Sequence, residues 1–598
     1  MFFRTKSIKG TPLLQLVQSF RDEQGQPRQR VIASLGDAQL PENEERPIAL
    51  AVQSRLQGEQ DLFEADLSKE ALNWVARIVA LAARSKASAP LGTALVDGVL
   101  IDQIETEQVM EFGPELVALE AWEKLGLTPI LADLGFNASS IATAKLMVAN
   151  RLIEPLSEWA LIDWSHRTAL PEMLGLRITK TAKDRLYRTS DELLANRIVI
   201  EEKLRTREAD LFSLSRKVIL YDVTNSHFEG LCKKNPKAKH GRNKQKRNDC
   251  RQIAIGMAFD ERGMALAHEV LEGNISDTKT LELMLDRLTV IKDGIKPVVI
   301  LDAGFASEAN IAMLKERGYS YIINITRGPR AKYAQEFAAG EFEELAGRSE
   351  QTKIEVKMSV DPDDEDSRLV LCRSVQRRGK EEAMISKAEE RYLSDVKALQ
   401  KLVSKGQLKQ PALIERRIGA LQKKHPKIQR FYKLRHLNGE LVAARNDAAI
   451  ESATSLCGDY VLKTDKRLEA AELWELYMTL LKAESGFRML KSSLGLRPNF
   501  HQLEARVDGH IFISVLAYHL LSWVREHFQV RGDSREWSTV VRLLRTHSIV
   551  TTRLKLSCGR IIQIRKPSLP DAEQQRVYDM LGIDWRQAFP AVKSELPA

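Results

Sequence analysis

The sequence predicts an α/β core on a mixed sheet, three antiparallel strands and then αβαβ, with an α+β insertion before its last helix and a mostly helical N-terminal region. Three observations predict it. Two short apolar runs each end on an aspartate: Val218-Ile219-Leu220-Tyr221 before Asp222, and Val298-Val299-Ile300-Leu301 before Asp302. Between them lies a strand–turn–strand pattern, 252–259 and 265–272 around Asp260-Glu261-Arg262-Gly263. Far downstream, residues 471–493 carry apolar side chains at helical spacing, with Glu484 and Lys491 on the same stripe.

Taken in order, residues 1–90 open with strand-like runs at 13–17 and 30–33, joined through the turn-prone 22–27, and continue with two helical patterns, the second near 71–83. Residues 91–210 read as mostly helical, with segments near 115–124, 141–150 and 182–207; helices of this composition more often serve packing, and the alternative is a DNA-end-binding domain. The first part of the core spans 211–330. After the 252–272 hairpin come a helix at 278–291, the Asp302 strand, a helix at 306–317 and a strand at 319–325. This is the element order of a ribonuclease-H-like core, in which the first and fourth strands lie side by side and bring Asp222 and Asp302 together. Residues 331–455 read as an inserted domain with strands at 353–360 and 369–375 and charged helices at 381–402 and 412–423. The second part of the core spans 456–530, and 531–598 form a C-terminal region.

The glutamate is the informative residue of the downstream helix. On an apolar stripe its carboxylate is expected to face the protein, where an unpaired charge costs several kcal/mol, so a partner is required. A metal ion held with the two aspartates is that partner, and the pattern reads as a metal-dependent nuclease site. The duller readings are an Asp that caps a turn after a strand and a Glu484 paired with Arg488 at i+4; three such residues in one core outweigh them.

Composition sets the bounds. The chain of 598 residues is 43% hydrophobic and 29% charged, an ordinary globular balance that disfavours disordered and fibrous classes. A formal charge of +9 favours a polyanionic partner, and the charge is concentrated. Lys233, Lys234, Lys237, Lys239, His240, Arg242, Lys244, Lys246, Arg247 and Arg251 crowd the stretch after the Asp222 strand. Beside a site that must approach phosphates, this loop is expected to grip DNA backbone. The five cysteines, Cys232, Cys250, Cys372, Cys457 and Cys558, form no CxxC pair, which fits a reducing cytoplasm and argues against a zinc ribbon. No secretion signal opens the sequence, and the oily run 511–523 is short and carries His519, so it reads as a core helix; no membrane partner is expected. The acidic run 361–366 lacks the glycine and distal glutamate of a calcium loop and reads as a solvated turn.

On these residues the chain resembles the DDE transposases of bacterial insertion sequences, in the insertion-sequence-four group and its longer relatives. That group carries a Tyr, Arg, Glu, Lys signature, matched here by Tyr477, Glu484 and Lys491, with Leu480 at the arginine position. Further matching stretches are Tyr221-Asp222-Val223-Thr224, Gly273-Asn274 with Asp277 and Thr280, Leu301-Asp302-Ala303-Gly304-Phe305 and Gly495-Leu496-Arg497-Pro498. The resemblance implies a DNA transposase with Asp222, Asp302 and Glu484 as catalytic metal ligands for two Mg²⁺ or Mn²⁺ ions. It implies cutting at the inverted-repeat ends of a transposon, strand transfer into target DNA, and work as a homodimer on paired ends in the cytoplasm, at the nucleoid. Tyr477, Arg488 and Lys491 are then expected at phosphates near the cut. The alternatives are a host-adopted nuclease that cuts without joining and a DNA-binding protein with a dead core.

Overall fold

The computed structural model describes residues 1–8, 11–21, 26–41, 43–57, 67–88, 95–96, 98–178, 182–215, 217–241, 247, 249–288, 296–325, 332–345, 353–437 and 439–596. They form two compact units, Met1–Glu107 with Thr551–Arg565 and Val592–Ala598, and Gln108–Val550 with Lys566–Ala591.

The smaller unit opens with an antiparallel meander, Phe2–Ile8, Thr11–Arg21 and Pro27–Ser34. The runs expected at 13–17 and 30–33 lie inside its second and third strands. Helices Glu45–Gln57 and Lys69–Ser88 close over Leu16, Ile32 and Ala33 with Ile48, Val52, Val75 and Ile78, which gives this unit its own core.

The larger unit is built on nine strands: β1 (Val218–His227), β2 (Gln252–Phe259), β3 (Ala265–Glu272), β4 (Val298–Leu301), β5 (Ser320–Asn324), β6 (Glu343–Leu345), β7 (Ile354–Val360), β8 (Arg368–Ser374) and β9 (Asp459–Thr464). Their order is β6-β7-β8-β9-β5-β4-β1-β2-β3. β1, β2 and β3 pair antiparallel, β4 runs parallel to both β1 and β5, and β9 is antiparallel to β5 and β8. The expected run of three antiparallel strands followed by helix, strand, helix, strand is present, the helices being Asp277–Leu288 and Glu308–Glu316.

Alternation along the central strands decides which helices cover which face. Ile219, Tyr221, Val299, Leu301, Tyr321 and Ile323 pack under the two connecting helices through Leu281, Leu285 and Leu314. Val218, Leu220, Ile300 and Ile322 point the other way and meet Leu480, Ala483 and Phe487. The buried runs are apolar on both faces because both faces are covered.

The segment expected as one insertion, 331–455, divides in two. β6, β7 and β8 extend the core sheet, with Val356, Val370 and Cys372 continuing its buried face. Helices Val375–Ser404 and Pro411–Lys424, the hairpin Tyr432–Leu437 and Glu440–Arg445, and helix Asp447–Ser455 follow. They enclose a separate core that includes Tyr392, Val396, Ile414, Ile418 and Phe431. Alternation in a sequence reveals a strand without naming its neighbour, which is why the sheet's true width was hidden. The acidic run is a turn, and Pro362, Asp363, Glu365 and Asp366 are exposed as expected, but Asp361 is buried and pairs with Lys463 at 2.6 Å, and Asp364 pairs with Lys315 at 2.8 Å.

The helical region holds Gly113–Lys124, Ala138–Ile153, Ala182–Ala195 and Arg197–Phe212, so the segment expected as continuous from 182 to 207 breaks at Asn196. The first three pack around the long helix Glu504–Val530. That helix is apolar enough to cross a membrane by composition, but its apolar window is 94% buried inside the protein, as expected of a core helix.

Candidate functional site

Asp222 and Asp302 sit at neighbouring positions. β1 and β4 pair in parallel with Tyr221 beside Leu301, so the next residue of each chain is an aspartate. Side chains alternate, and Tyr221, Val223 and Leu301 face the connecting helices, which turns both carboxylates to the opposite face. Asp222 is half-buried and Asp302 exposed. Asp302 Oδ1 accepts the amide N–H of Ala303 at 2.7 Å, capping the 3₁₀ turn Ala303–Phe305. The cap role weighed in the sequence is therefore real, and it fixes one oxygen of the carboxylate.

Glu484 lies on the helix Leu480–Ser492, which packs on β1 from that same face. The expected single helix over 471–493 is two, Ala470–Met478 and Leu480–Ser492, which meet at Thr479. Glu484 is exposed, which corrects the expectation that its carboxylate faces the protein. The buried positions are Leu480, Ala483, Gly486, Phe487 and Leu490, so Glu484 falls at the margin of the stripe. Gly486 is required there: a Cβ would stand 2.8 Å from Tyr518 Oη and 2.9 Å from the Phe259 ring. That contact seats the helix against the sheet and sets the height at which Glu484 emerges.

Tyr477 is half-buried at the end of the preceding helix. Its hydroxyl accepts a hydrogen bond from Asn324 Nδ2 at 2.9 Å. Asn324 ends β5, one step beyond the Leu301–Ile323 pair; the strand expected to end at Asp222 runs on to His227, so Asp222 within β1 lies level with Asp302 and Asn324 at the ends of β4 and β5, on one face. Burial raises the Tyr477 phenol pKa above its ordinary value; the Asn324 hydrogen bond lowers it and the negative charge of nearby Asp302 raises it again. Sequence reasoning missed Asn324, although it is the polar residue that breaks the apolar run of β5 one strand over from Asp302.

The basic residues divide. Arg488 is exposed, while Lys491 is half-buried with its ammonium 5.5 Å from the Phe487 ring centre. Lys239 is exposed, and its backbone pairs with Gln252 on β2 at 3.0 and 2.8 Å. Arg247 is half-buried and ion-paired to Asp249 at 3.0 Å. Arg242, Lys244 and Lys246 lie outside the described residues. Lys237 is taken up by Asp508 at 2.7 Å and Glu504 at 3.1 Å. Gly273 anchors the start of the loop: its N–H donates to Lys237 O at 3.0 Å and its carbonyl accepts from Gln252 Nε2 at 2.7 Å. A Cβ on Gly273 would collide with Gln252 O, and one on Gly241 with Gly273 O.

Among the described residues, the three acidic or histidine side chains whose ligand atoms all lie within 4.8 Å of one another are Glu158, His501 and His510, away from the aspartates. The Arg151 guanidinium stands 3.1 Å from His510 Nδ1 and supplies the positive charge there, so this cluster is a poor place for a cation. Burial alone would raise the Glu158 pKa; the hydrogen bond and charge of His501 outweigh it and hold the carboxyl at about 2.

Comparison with known proteins gives the family. Residues 213–520, more than half of the chain, match the family model described as the transposase DDE domain, and residues 3–65 match the IS1634 family transposase N-terminal domain. No curated protein matches. Among solved structures, a piggyBac transposase synaptic complex with hairpin DNA is similar over 73% of this chain and 82% of that one, at 11% identity and a TM-score of 0.33, a likeness too loose to carry an argument. The family models cover the sheet, both aspartates and the glutamate helix, and the chain belongs to the DDE transposases of bacterial insertion sequences, enzymes of DNA transposition.

Proposed function

We propose that Asp222, Asp302 and Glu484 are the acidic triad of this transposase, holding two Mg²⁺ or Mn²⁺ ions while it cuts transposon ends and joins them to target DNA. The observation that carries this reading is the placement of both aspartates one residue beyond the Tyr221–Leu301 pair, on the sheet face covered by the Glu484 helix. On this reading the strands β3-β2-β1-β4-β5 are a ribonuclease-H-like core.

The donor set fits the ions. Carboxylates offer only hard oxygen ligands, and an ion such as Mg²⁺ keeps several waters, so three side chains suffice. When bound, such ions lower the pKa of a water and neutralise charge on the leaving oxygen of a phosphodiester. The protein's own share is orientation. The Ala303 N–H fixes Asp302, and the Asn324–Tyr477 hydrogen bond ties the helix before Glu484 to the strand ends. Arg488 and Lys491, one and two turns from Glu484 along its helix, bind phosphate oxygens flanking the cut. Lys239 and Arg247, with Arg242, Lys244 and Lys246, hold the DNA backbone, which makes binding steeply salt-dependent.

The enzyme works as a homodimer on paired ends. The test is to mix wild type with labelled duplex from the DNA flanking its own gene and Mg²⁺, then with a pre-cut end and a target plasmid. Discrete ends bearing 3′ hydroxyls, joined products and a complex mass of two chains are expected. Cutting that persists in a chelator, or joining by a one-chain complex, contradicts the reading.

A further inference from the structure

A second cleft opens beside the Glu484 helix. A cavity of about 230 Å³ lies between that helix, the long helix Glu504–Val530 and the segment that follows it. Arg488 and Arg525 line it, over a floor that includes Met489, Phe528 and Trp537. Arg525 is half-buried, and among the described residues neither guanidinium has a hydrogen-bond or ion-pair partner. Arg488 is exposed and Arg525 half-buried, so both guanidiniums keep donors turned to solvent where an anion can reach them. On the far wall Arg535 is already satisfied by Asp533 at 2.6 Å, and Glu536 adds one exposed carboxylate. The lining is left with one positive charge in excess, which suits the single charge of a phosphodiester better than the double charge of free phosphate.

Position ties the cleft to the reaction. Arg488 follows Glu484 by one helical turn on the same exposed margin, a rise of about 6 Å, comparable with the step between neighbouring phosphates of one strand. We infer that this cleft is a nucleotide subsite: Arg488 and Arg525 hold the phosphodiester next to the cut bond, and the apolar floor receives part of that nucleotide's sugar or base. The subsite rests on the triad reading, since Glu484 marks where the cut occurs. It gives Arg525 a role that the Tyr, Arg, Glu, Lys signature does not contain, and it supplies positive charge on a helix whose signature arginine is Leu480.

The test is charge removal on both partners, with full-length protein and end duplexes that carry a neutral methylphosphonate at one position at a time. In wild type the methylphosphonate beside the cut should weaken binding about tenfold, the size of one charge-assisted hydrogen bond. In Arg525→Gln that single position should lose part of its penalty, the share left being that of Arg488, while the others keep theirs, and the slope of log K against log salt should fall by about one. Equal unfolding temperatures for variant and wild type exclude a folding defect, and Arg525→Lys should restore part of the penalty. A penalty of unchanged size in Arg525→Gln overturns the subsite. Competition by inorganic phosphate at equal strength in wild type and Arg525→Gln, with the methylphosphonate pattern unchanged, also overturns it. Cutting of the unmodified duplex by wild type reports on the triad separately, so loss of the subsite with intact cutting leaves the triad reading standing.

Discussion

Asn324 and Tyr477 are joined by a hydrogen bond of 2.9 Å that links the end of β5 to the helix before Glu484. Asn324 is 8% exposed, so its amide has little access to water as an alternative partner. The pair ties the helix before Glu484 to the end of the strand beside the one that leads into Asp302, and Asp302 lies close enough to act on the phenol.

Tyr477→Phe leaves the Asn324 amide with a buried donor unpaired, and a loss of about 1–2 kcal/mol in stability is expected. Cutting should fall more than DNA binding, because the fault lies in where Glu484 is held. Denaturant unfolding and cleavage rates at saturating DNA check this; a variant that binds less well but cuts at the normal rate when saturated contradicts it.

Glu484→Gln removes charge from an exposed side chain outside the buried stripe. Stability should stay within about 0.5 kcal/mol of wild type. Salt-dependent DNA binding should persist while cutting is lost, which gel shift and strand mapping measure on one sample.

Gly273→Ala puts a Cβ where Gln252 O stands, against backbone that has nowhere to move without breaking the β2–β3 edge. Destabilisation of about 2 kcal/mol or more is expected, together with weaker DNA binding as the loop loses its anchor to Lys237. Normal affinity in a variant that still folds contradicts the anchoring role.

Asp260 is buried in the turn between β2 and β3, where its Oδ1 accepts the N–H groups of Arg262 and Met264, both at 2.9 Å. Burial raises its pKa to about 7; the Met264 hydrogen bond opposes this and the charge of Glu261 adds to it. The folded pKa stands above that of the unfolded chain, so the contribution is full in the acid range below the unfolded value. It is lost as pH rises from about 4 through about 7. Asp260→Asn keeps an acceptor for both N–H groups and removes the titration. The variant should gain on wild type with rising pH, by on the order of 4 kcal/mol at pH 8 relative to pH 4. Parallel stability curves contradict this assignment.

Much of the core was legible because its strands are buried on both faces and end in charge. The apolar runs before Asp222 and Asp302 have few other meanings, and the hairpin between them carries its own turn signal at Asp260–Gly263. Three things were not legible. β7 and β8 were readable as strands but not as members of the same sheet, because pairing with β9 joins residues far apart in sequence. The exposure of Glu484 depends on its angular offset from Ala483 and Phe487, which a stripe drawn every three or four residues blurs. Asn324 carries no motif of its own, and its meaning comes from Tyr477, which is brought to it by the fold.

The most direct measurement compares wild type with Asp222→Asn, Asp302→Asn and Glu484→Gln on one labelled end duplex, scoring Mg²⁺-dependent cutting on each strand alongside binding. The account predicts that all three variants bind and none cuts. Cutting by any of the three at the wild-type rate would contradict the triad.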